Sequence, residues 1–369
     1  MTGGARDKSW WPGAVVYQLY VRSWRDSDGD GFGDLPGVID KLDYLAWLGV
    51  DAVWLSPAMP SPDHDWGYDV SDYMSVHPQL GSLADLDRLV TEADRRQMRV
   101  LLDLVPNHTS DEHPWFVEAR GSRDAVHRNW YVWAEPGPDG APPNNWLDAS
   151  GERAWSLDAA TGQYYLHNFL PSQPDLNWWE PAVHDAFEEI IGFWFDRGVA
   201  GFRIDVAHGL YKDAALRDNP PMPAGQLIGG NAGQEQRYSA NRPETHAVFR
   251  NWRQIAEQYE PGRLLLGETC VPEVERLARY YGQGDELQLA FNFPFMVSGF
   301  TAPELSQSCA RPSASCPPGP FRSGRCRITT SRVLRPAGAP ETTPRRRSRS
   351  VSFSHCPARS SSTTATRSG

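Results

Sequence analysis

The sequence predicts an α/β fold built on a parallel sheet, and three observations carry that prediction. Short β-rich runs alternate with helical patterns, several strands end in charged or polar residues, and no glycine-rich phosphate loop follows the first strand. Strand ends that carry Asp103, Asn107, His108, Asp205 and Glu268 suit a (β/α)8, or TIM, barrel, where catalytic groups gather at the carboxyl ends of the strands. An open doubly wound sheet is the rival, and the missing phosphate loop counts against it.

The elements follow in order. AVVYQLYVRSW (14–24) reads as the first strand. LPGVIDKLDYLAWLG has apolar residues at helical spacing and a glycine stop at Gly49. VDAVWLSP (50–57) is the second strand, DLDRLVTEADRRQM the next helix, and RVLLDLVPNH (99–108) a third, buried strand. Residues 109–173 are rich in Pro, Gly and Trp with little helical period, and read as a loop-rich insert on the catalytic face. PAVHDAFEEIIGFWFDRG is amphipathic and leads into the strand VAGFRIDVA (199–207); RLLLGET (263–269) and LQLAFNFPF (287–295) follow. The expectation is an incomplete barrel of about six of eight strands over 10–108 and 174–306, with the insert over 109–173 and a tail over 307–369.

Charge separates the body from the tail. The whole chain has 369 residues and a net charge of −10. Residues 307–369 hold 12 arginines, no lysine, no tryptophan and one acid, Glu341, so they carry +11 and leave −21 for residues 1–306. An acidic body disfavours a nucleic-acid partner. No apolar run reaches the ~18 residues of a membrane span, and the N-terminus lacks a signal-peptide pattern, so a cytoplasmic protein is expected. Four of the five cysteines (Cys309, Cys316, Cys326, Cys356) lie in the tail without zinc spacing. The 15 tryptophans read mainly as core packing, with sugar contacts the more specific alternative.

Two acids stand out. Asp205 ends a strand with Arg203 two residues before it, on the same face. An arginine there is expected to keep the carboxylate ionised, as a nucleophile requires. Glu268 ends the apolar run LLLGE, where partial desolvation would raise its pKa toward that of a general acid. One ionised and one protonated carboxyl across a cleft is the retaining-glycosidase arrangement. Ordinary ion pairs at strand ends give the same pattern. Separately, DSDGDGFGD (26–34) sets acids at alternating positions around glycine, which suits calcium. It is not an EF-hand, because the twelfth position is Gly37. A solvated acidic turn is the plain alternative.

DLVPNH, GFRID, LLLGE and QPDLNW, in this order and spacing, resemble the signature motifs of the α-amylase superfamily of glycoside hydrolases. QPDLN, and Val206 after Asp205, resemble its oligo-1,6-glucosidase and α-glucosidase branch. The resemblance runs from about Trp10 to Leu305. It implies Asp205 as nucleophile, Glu268 as acid/base, and Arg203 supporting the nucleophile. It implies His108, Asp65 and Tyr68 (in DHDWGYDVSDY) around the innermost sugar, with Asp103 and Asn107 structural. It also implies a structural Ca2+ bound by the side chains of Asp26, Asp28, Asp30 and Asp34 and the carbonyl of Phe32. His64 and His208 are read as polar-loop histidines. The implied partner is a short oligosaccharide. The implied reaction is double displacement on α-1,4 or α-1,6 glucosides, with Val206 favouring the latter. Related glucosyl transferases and isomerases share these motifs, and a non-catalytic barrel that binds sugar or protein is the reading from another class.

The family pattern continues to a strand ending in Asn-His-Asp, which this sequence lacks. When the third base of each codon is joined to the first two of the next, residues 326–333 can encode Ser-Asn-His-Asp-Val-Ser-Arg. Residues 362–368 can likewise encode Tyr-Tyr-Gly-Asp-Glu-Ile. The expectation is a reading-frame shift near residue 306. It predicts a disordered tail and a chain that is poorly folded and close to inactive without the third carboxylate.

Overall fold

The computed structural model describes residues 9–226, 230–231, 233–297 and 301. The expected tail over 307–369, the frame shift near residue 306 and the four tail cysteines lie outside the described residues.

Six parallel strands form the central sheet: β1 (Val16–Leu19), β2 (Ala52–Leu55), β3 (Arg99–Leu104), β7 (Gly201–Ile204), β10 (Leu264–Gly267) and β11 (Leu289–Ala290), in the order β1-β2-β3-β7-β10-β11. Every connection between neighbours in sequence crosses over through helix or insert, as parallel strands require. This is a half-barrel. The middle strands are covered on both faces: AVWL, GFRI and LLLG are buried at every position, with Arg203 the one charged residue among them. Gly201 lets β7 lie close against β10, since a Cβ there would meet the Leu264 carbonyl oxygen at 2.2 Å.

Helices pack on the outer face. The expected first helix is two, α1 (Leu35–Asp40) and α2 (Leu42–Trp47), broken at Lys41, whose backbone leaves helical geometry. Gly49 follows α2 with positive φ, as the glycine stop implied. Helix α3 (Leu83–Arg95) starts with a full capping box between Ser82 and Asp85 and buries Leu86, Leu89 and Ala93. Helix α5 (Pro181–Asp196) buries Val183, Phe187, Ile190, Ile191, Trp194 and Phe195, a stripe at i, i+3, i+4 spacing. Trp194 also donates its indole N–H to the Tyr73 carbonyl at 2.8 Å, so Trp194→Ala should cost about 3–5 kcal/mol. Helices α6 (Thr245–Ala256) and α7 (Val274–Arg279) were not read from the sequence. In α6 the buried residues Val248, Phe249, Trp252 and Ala256 are spaced correctly but diluted by arginines and polar residues.

The strands are shorter than their sequence runs. After β1 the chain turns into a 3-10 helix, Val21–Ser23, and after β11 into α8 (Phe293–Met296), capped by Asn292. These replace the ends of the runs expected over 14–24 and 287–295. Apolar periodicity cannot mark where pairing stops.

The insert after β3 contains α4 (Pro114–Ala119) and an antiparallel sheet of β4 (Trp133–Ala134), β5 (Trp155–Asp158) and β6 (Gln163–Leu166), ordered β4-β6-β5. Its small core comprises Ala134, Trp146, Ala154, Trp155 and Leu166. A short hairpin, β8 (Gly230–Asn231) and β9 (Gln234–Glu235), lies between β7 and α6.

Candidate active site

Strand register builds the site. Asp103 of β3 lies directly beside Arg203 of β7, and Arg203 beside Leu266 of β10. The Arg203 guanidinium therefore reaches carboxylates from three adjacent strands. Its Nη1 donates to Asp103 Oδ1 at 2.7 Å and Asp205 Oδ1 at 2.6 Å, and its Nη2 pairs with Glu268 Oε1 at 2.8 Å. The Val206 amide donates to Glu268 Oε2 at 3.1 Å. Val206 holds a positive φ of 43°, uncommon for a β-branched residue, and the strain sits on the residue after Asp205.

One cation serves three carboxylates, and this corrects the expectation for Asp205. Burial pushes Asp205 well above the ordinary carboxylate range, and the neighbouring Glu268 and Asp103 add to the rise against the pull of Arg203. Asp103 is likewise pushed up to about 6, chiefly by burial. Arg203 does hold Asp205, but its charge is shared among three carboxylates. Burial alone would lower Arg203; the three carboxylates raise it instead. Glu268 ends its strand partly desolvated, as expected. Its side chain is 25% exposed and tied to Arg203 and the Val206 amide.

Tyr68 and Trp54 complete the floor. The Trp54 indole donates to Asp103 Oδ2 at 3.0 Å and the Tyr68 hydroxyl donates to the same oxygen at 3.3 Å. Burial drives the Tyr68 phenol upward, so it stays neutral. The loop that carries Tyr68 is organised by Asp69, whose carboxylate accepts from the Ser61 hydroxyl and the His64 and Asp65 amides. Asp65 accepts from Gln173 at 2.9 Å and is raised, first by burial. His108 is buried. Its Nδ1 faces the Asn107 amide at 3.1 Å and its Nε2 faces the Tyr68 carbonyl at 3.1 Å. Desolvation pushes it down to about 4, so it is a neutral donor at pH 7.

The structure thus brings Asp205, Glu268, Arg203, Tyr68, His108 and Asp65 into one region. It also adds residues the sequence reading left aside. Asp103, taken as structural, belongs to the carboxylate cluster. Gln173 of the insert joins Asp65 to His108, at 2.9 and 3.1 Å. Lys212, buried, donates to Asn107 at 2.9 Å and pairs with Asp175 of QPDLN at 2.7 Å, joining the two chain segments that flank the insert. His208 is no surface histidine: its Nδ1 lies 3.3 Å from the Cys270 amide, behind Glu268. QPDLN was visible as a motif, but nothing local in it shows that its glutamine faces Asp65.

The loop 26–34 lies apart, after β1. Carboxylate oxygens of Asp26, Asp28 and Asp34 lie within 4.8 Å of one another. Asp26 accepts from the amides of Asp28, Gly29 and Gly31, and these bonds, Gly29 and Gly31 foremost, hold its carboxyl below the usual range. Asp34 accepts from the Ser27 amide and hydroxyl and caps α1 through Gly37. Asp30 stands outside the three-carboxylate group and accepts from the Phe32 amide at 2.7 Å. All-oxygen donors with net charge −3 and no basic partner among the described residues fit a hard divalent cation.

Comparison with known proteins identifies the family. The model of the alpha-amylase catalytic domain matches residues 18–312. A probable alpha-glucosidase from Rhizobium meliloti (strain 1021) is 44% identical over 307 residues, covering 81% of this chain and 56% of that protein. An oligo-1,6-glucosidase from Heyndrickxia coagulans is 44% identical, covering 78% and 51%. Among solved structures, an alpha-glucosyl transfer enzyme, XgtA, superposes with a TM-score of 0.81 at 44% identity, covering 84% of this chain and 59% of that one. The trehalulose synthase MutB gives a TM-score of 0.73 at 35% identity, with 82% and 55% covered. The chain belongs to the alpha-amylase catalytic domain family. It spans about half the length of the curated relatives it matches. Among the described residues no helix is long and apolar enough to cross a membrane.

Proposed function

We propose that this chain carries the nucleophile and the acid/base of a retaining α-glucoside hydrolase acting on short α-linked gluco-oligosaccharides, in the cytoplasm. The observation that supports it most is the placement of Asp205 and Glu268 on one guanidinium at adjacent strand ends. In the first step Asp205 attacks the anomeric carbon while Glu268 protonates the departing glycosidic oxygen, giving a glucosyl ester on Asp205. In the second, Glu268 takes a proton from water, which displaces Asp205 and restores the anomeric configuration. His108, Tyr68 and Asp65 hold the innermost sugar through its hydroxyls. Calcium would be held by Asp26, Asp28 and Asp34, with Asp30 and Phe32 at the rim, and would rigidify the loop after β1.

The same reading includes the shifted frame near residue 306 and low turnover by this chain alone. It is tested by product analysis on maltose, isomaltose and sucrose beside p-nitrophenyl α-glucoside. Slow hydrolysis with retention, abolished in Asp205→Asn and Glu268→Gln, supports it; an ordinary glucosidase rate refutes the impaired-chain part. Glucosyl transfer is the second reading, favoured by the 0.81 TM-score to a glucosyl transfer enzyme, and transfer products would decide for it. Sugar binding without turnover would favour a non-catalytic barrel.

A further inference from the structure

Two amide donors face the His108 ring, and a neutral imidazole can accept from only one of them. Asn107 Nδ2 lies 3.1 Å from Nδ1, and Gln173 Nε2 lies 3.1 Å from Nε2. The neutral ring carries one N–H and one bare nitrogen, so its tautomer is a choice between the two amides. The Tyr68 carbonyl, 3.1 Å from Nε2, can only accept and calls for a proton there.

Lys212 bears on that choice through Asn107. Its Nζ lies 2.7 Å from Asp175 Oδ2, 2.9 Å from Asn107 Oδ1 and 3.3 Å from the Leu210 carbonyl oxygen. All three partners accept, which uses the three protons of an ammonium. An ammonium cannot accept, so Asn107 keeps its oxygen toward Lys212 and its NH2 toward His108. The surroundings hold this orientation. Asn107, Lys212 and Asp175 are buried, and the Asn107 carbonyl accepts from the Leu176 amide at 2.9 Å. Gly209 leaves the room that the side-chain oxygen needs, since a Cβ there would lie 2.9 Å from Asn107 Oδ1. Gln173 is the weaker claimant, because its Nε2 already donates to Asp65 Oδ2 at 2.9 Å. A proton on Nε2 satisfies both Asn107 and the Tyr68 carbonyl. A proton on Nδ1 would set two buried N–H groups against each other and leave that carbonyl without its donor.

We infer that Lys212 is a positioning residue: acting through Asn107, it fixes the His108 proton on Nε2, the nitrogen that faces Tyr68 and Gln173. The next step rests on the glucoside reading above. There the Nε2–H is offered to the oxygen of a sugar hydroxyl, so a lysine that does not itself touch the sugar sets the polarity of a group that does.

The test is nitrogen NMR on the full chain with 15N-labelled histidine, without substrate. It is run at about pH 8, where a ring of ordinary pKa is neutral. The His108 signals are those missing from His108→Gln. In the parent the proton is expected on Nε2. Asn107→Asp keeps an acceptor for Lys212 but replaces the NH2 by a second acceptor, so it should draw the proton to Nδ1. Lys212→Met should free the amide to turn and populate the same form; if that variant does not fold, Asn107→Asp decides alone. A parent proton on Nδ1, or an Asn107→Asp ring with Nδ1 still bare, overturns the inference. So does a folded Lys212→Met that is less stable with an unchanged tautomer, which is what a merely structural lysine gives. Sugar recognition is read separately: methyl α-glucoside should bind Asn107→Asp about tenfold or more weakly than the parent. Unchanged binding beside a switched tautomer would overturn the sugar-facing role. No binding by any form, with the switch intact, would refute the glucoside reading and leave the Lys212 relay standing.

Discussion

The two acidic clusters in this molecule use the same side chain to opposite ends. Asp103, Asp205 and Glu268 converge in the interior on one guanidinium. Asp26, Asp28 and Asp34 converge in the loop after β1, where Asp34 is buried and Asp26 and Asp34 accept from nearby amides. In the first, burial outweighs the shared cation, and Asp205 and Asp103 rise. In the second, amide donors in solvent lower Asp26. Convergence of acids therefore does not define a site by itself. The compensating group does: one shared guanidinium in the interior, backbone amide donors in the loop.

The largest expected effect comes from removing the compensation. Arg203→Met leaves buried carboxylates without their partner and should cost about 3–5 kcal/mol at pH 7. Arg203→Lys should fall between, because an ammonium keeps the charge but loses the fork. Urea melts would show both. The Arg203→Met penalty should shrink toward pH 4 as the carboxylates protonate. An Arg203→Met chain that melts like the parent would remove the distinction between the clusters.

Next comes the pH response of the interior. His108 falls from the ordinary 6.5 to about 4, through burial first. Between those values the unfolded chain binds a proton that the folded chain refuses. Stability is therefore full above about 6.5, declines as pH falls, and this loss is complete near 4, amounting to about 3 kcal/mol. Asp103, raised to about 6, has the opposite sign: the folded chain binds the extra proton, so its contribution improves as pH falls from about 6 to 4. His108→Gln should flatten the acid limb of denaturation midpoints taken at pH 7, 5.5 and 4.5, and an unchanged limb would contradict this assignment.

The sequence showed the acids but not their surroundings. The parallel sheet and the position of Asp205 and Glu268 at strand ends were legible because strand runs and motifs are local. The sharing of Arg203 depends on the register of β3, β7 and β10, which no local pattern encodes. For that reason Asp103 was taken for a tether. Loop 26–34 was easier to read, because its bonds run between residues two to seven apart. Even there, the sequence could not show that Asp30 turns to the Phe32 amide and leaves the group.

A cation tests the surface cluster. Calcium at about 100 times its dissociation constant should stabilise the chain by about 2.7 kcal/mol. The thermal midpoint should rise saturably with Ca2+, and Asp26→Asn should weaken the response. Asp30→Ala should change it less, since Asp30 stands outside the group. A midpoint indifferent to Ca2+ would make the loop a solvated turn and leave the interior cluster as the one with a chemical purpose.

The smallest effect separates two duties of one residue. Asp34 contributes to the cation group and also caps α1, accepting from Gly37. Asparagine caps a helix about as well as aspartate, whereas alanine costs about 1 kcal/mol. Without calcium, Asp34→Asn should therefore melt like the parent and Asp34→Ala lower. With calcium, both should lose part of the cation response, because neither supplies the charge. If Asp34→Asn kept the full response, Asp34 would be only a cap. The surface cluster would then reduce to Asp26 and Asp28, too little charge to set against the interior three.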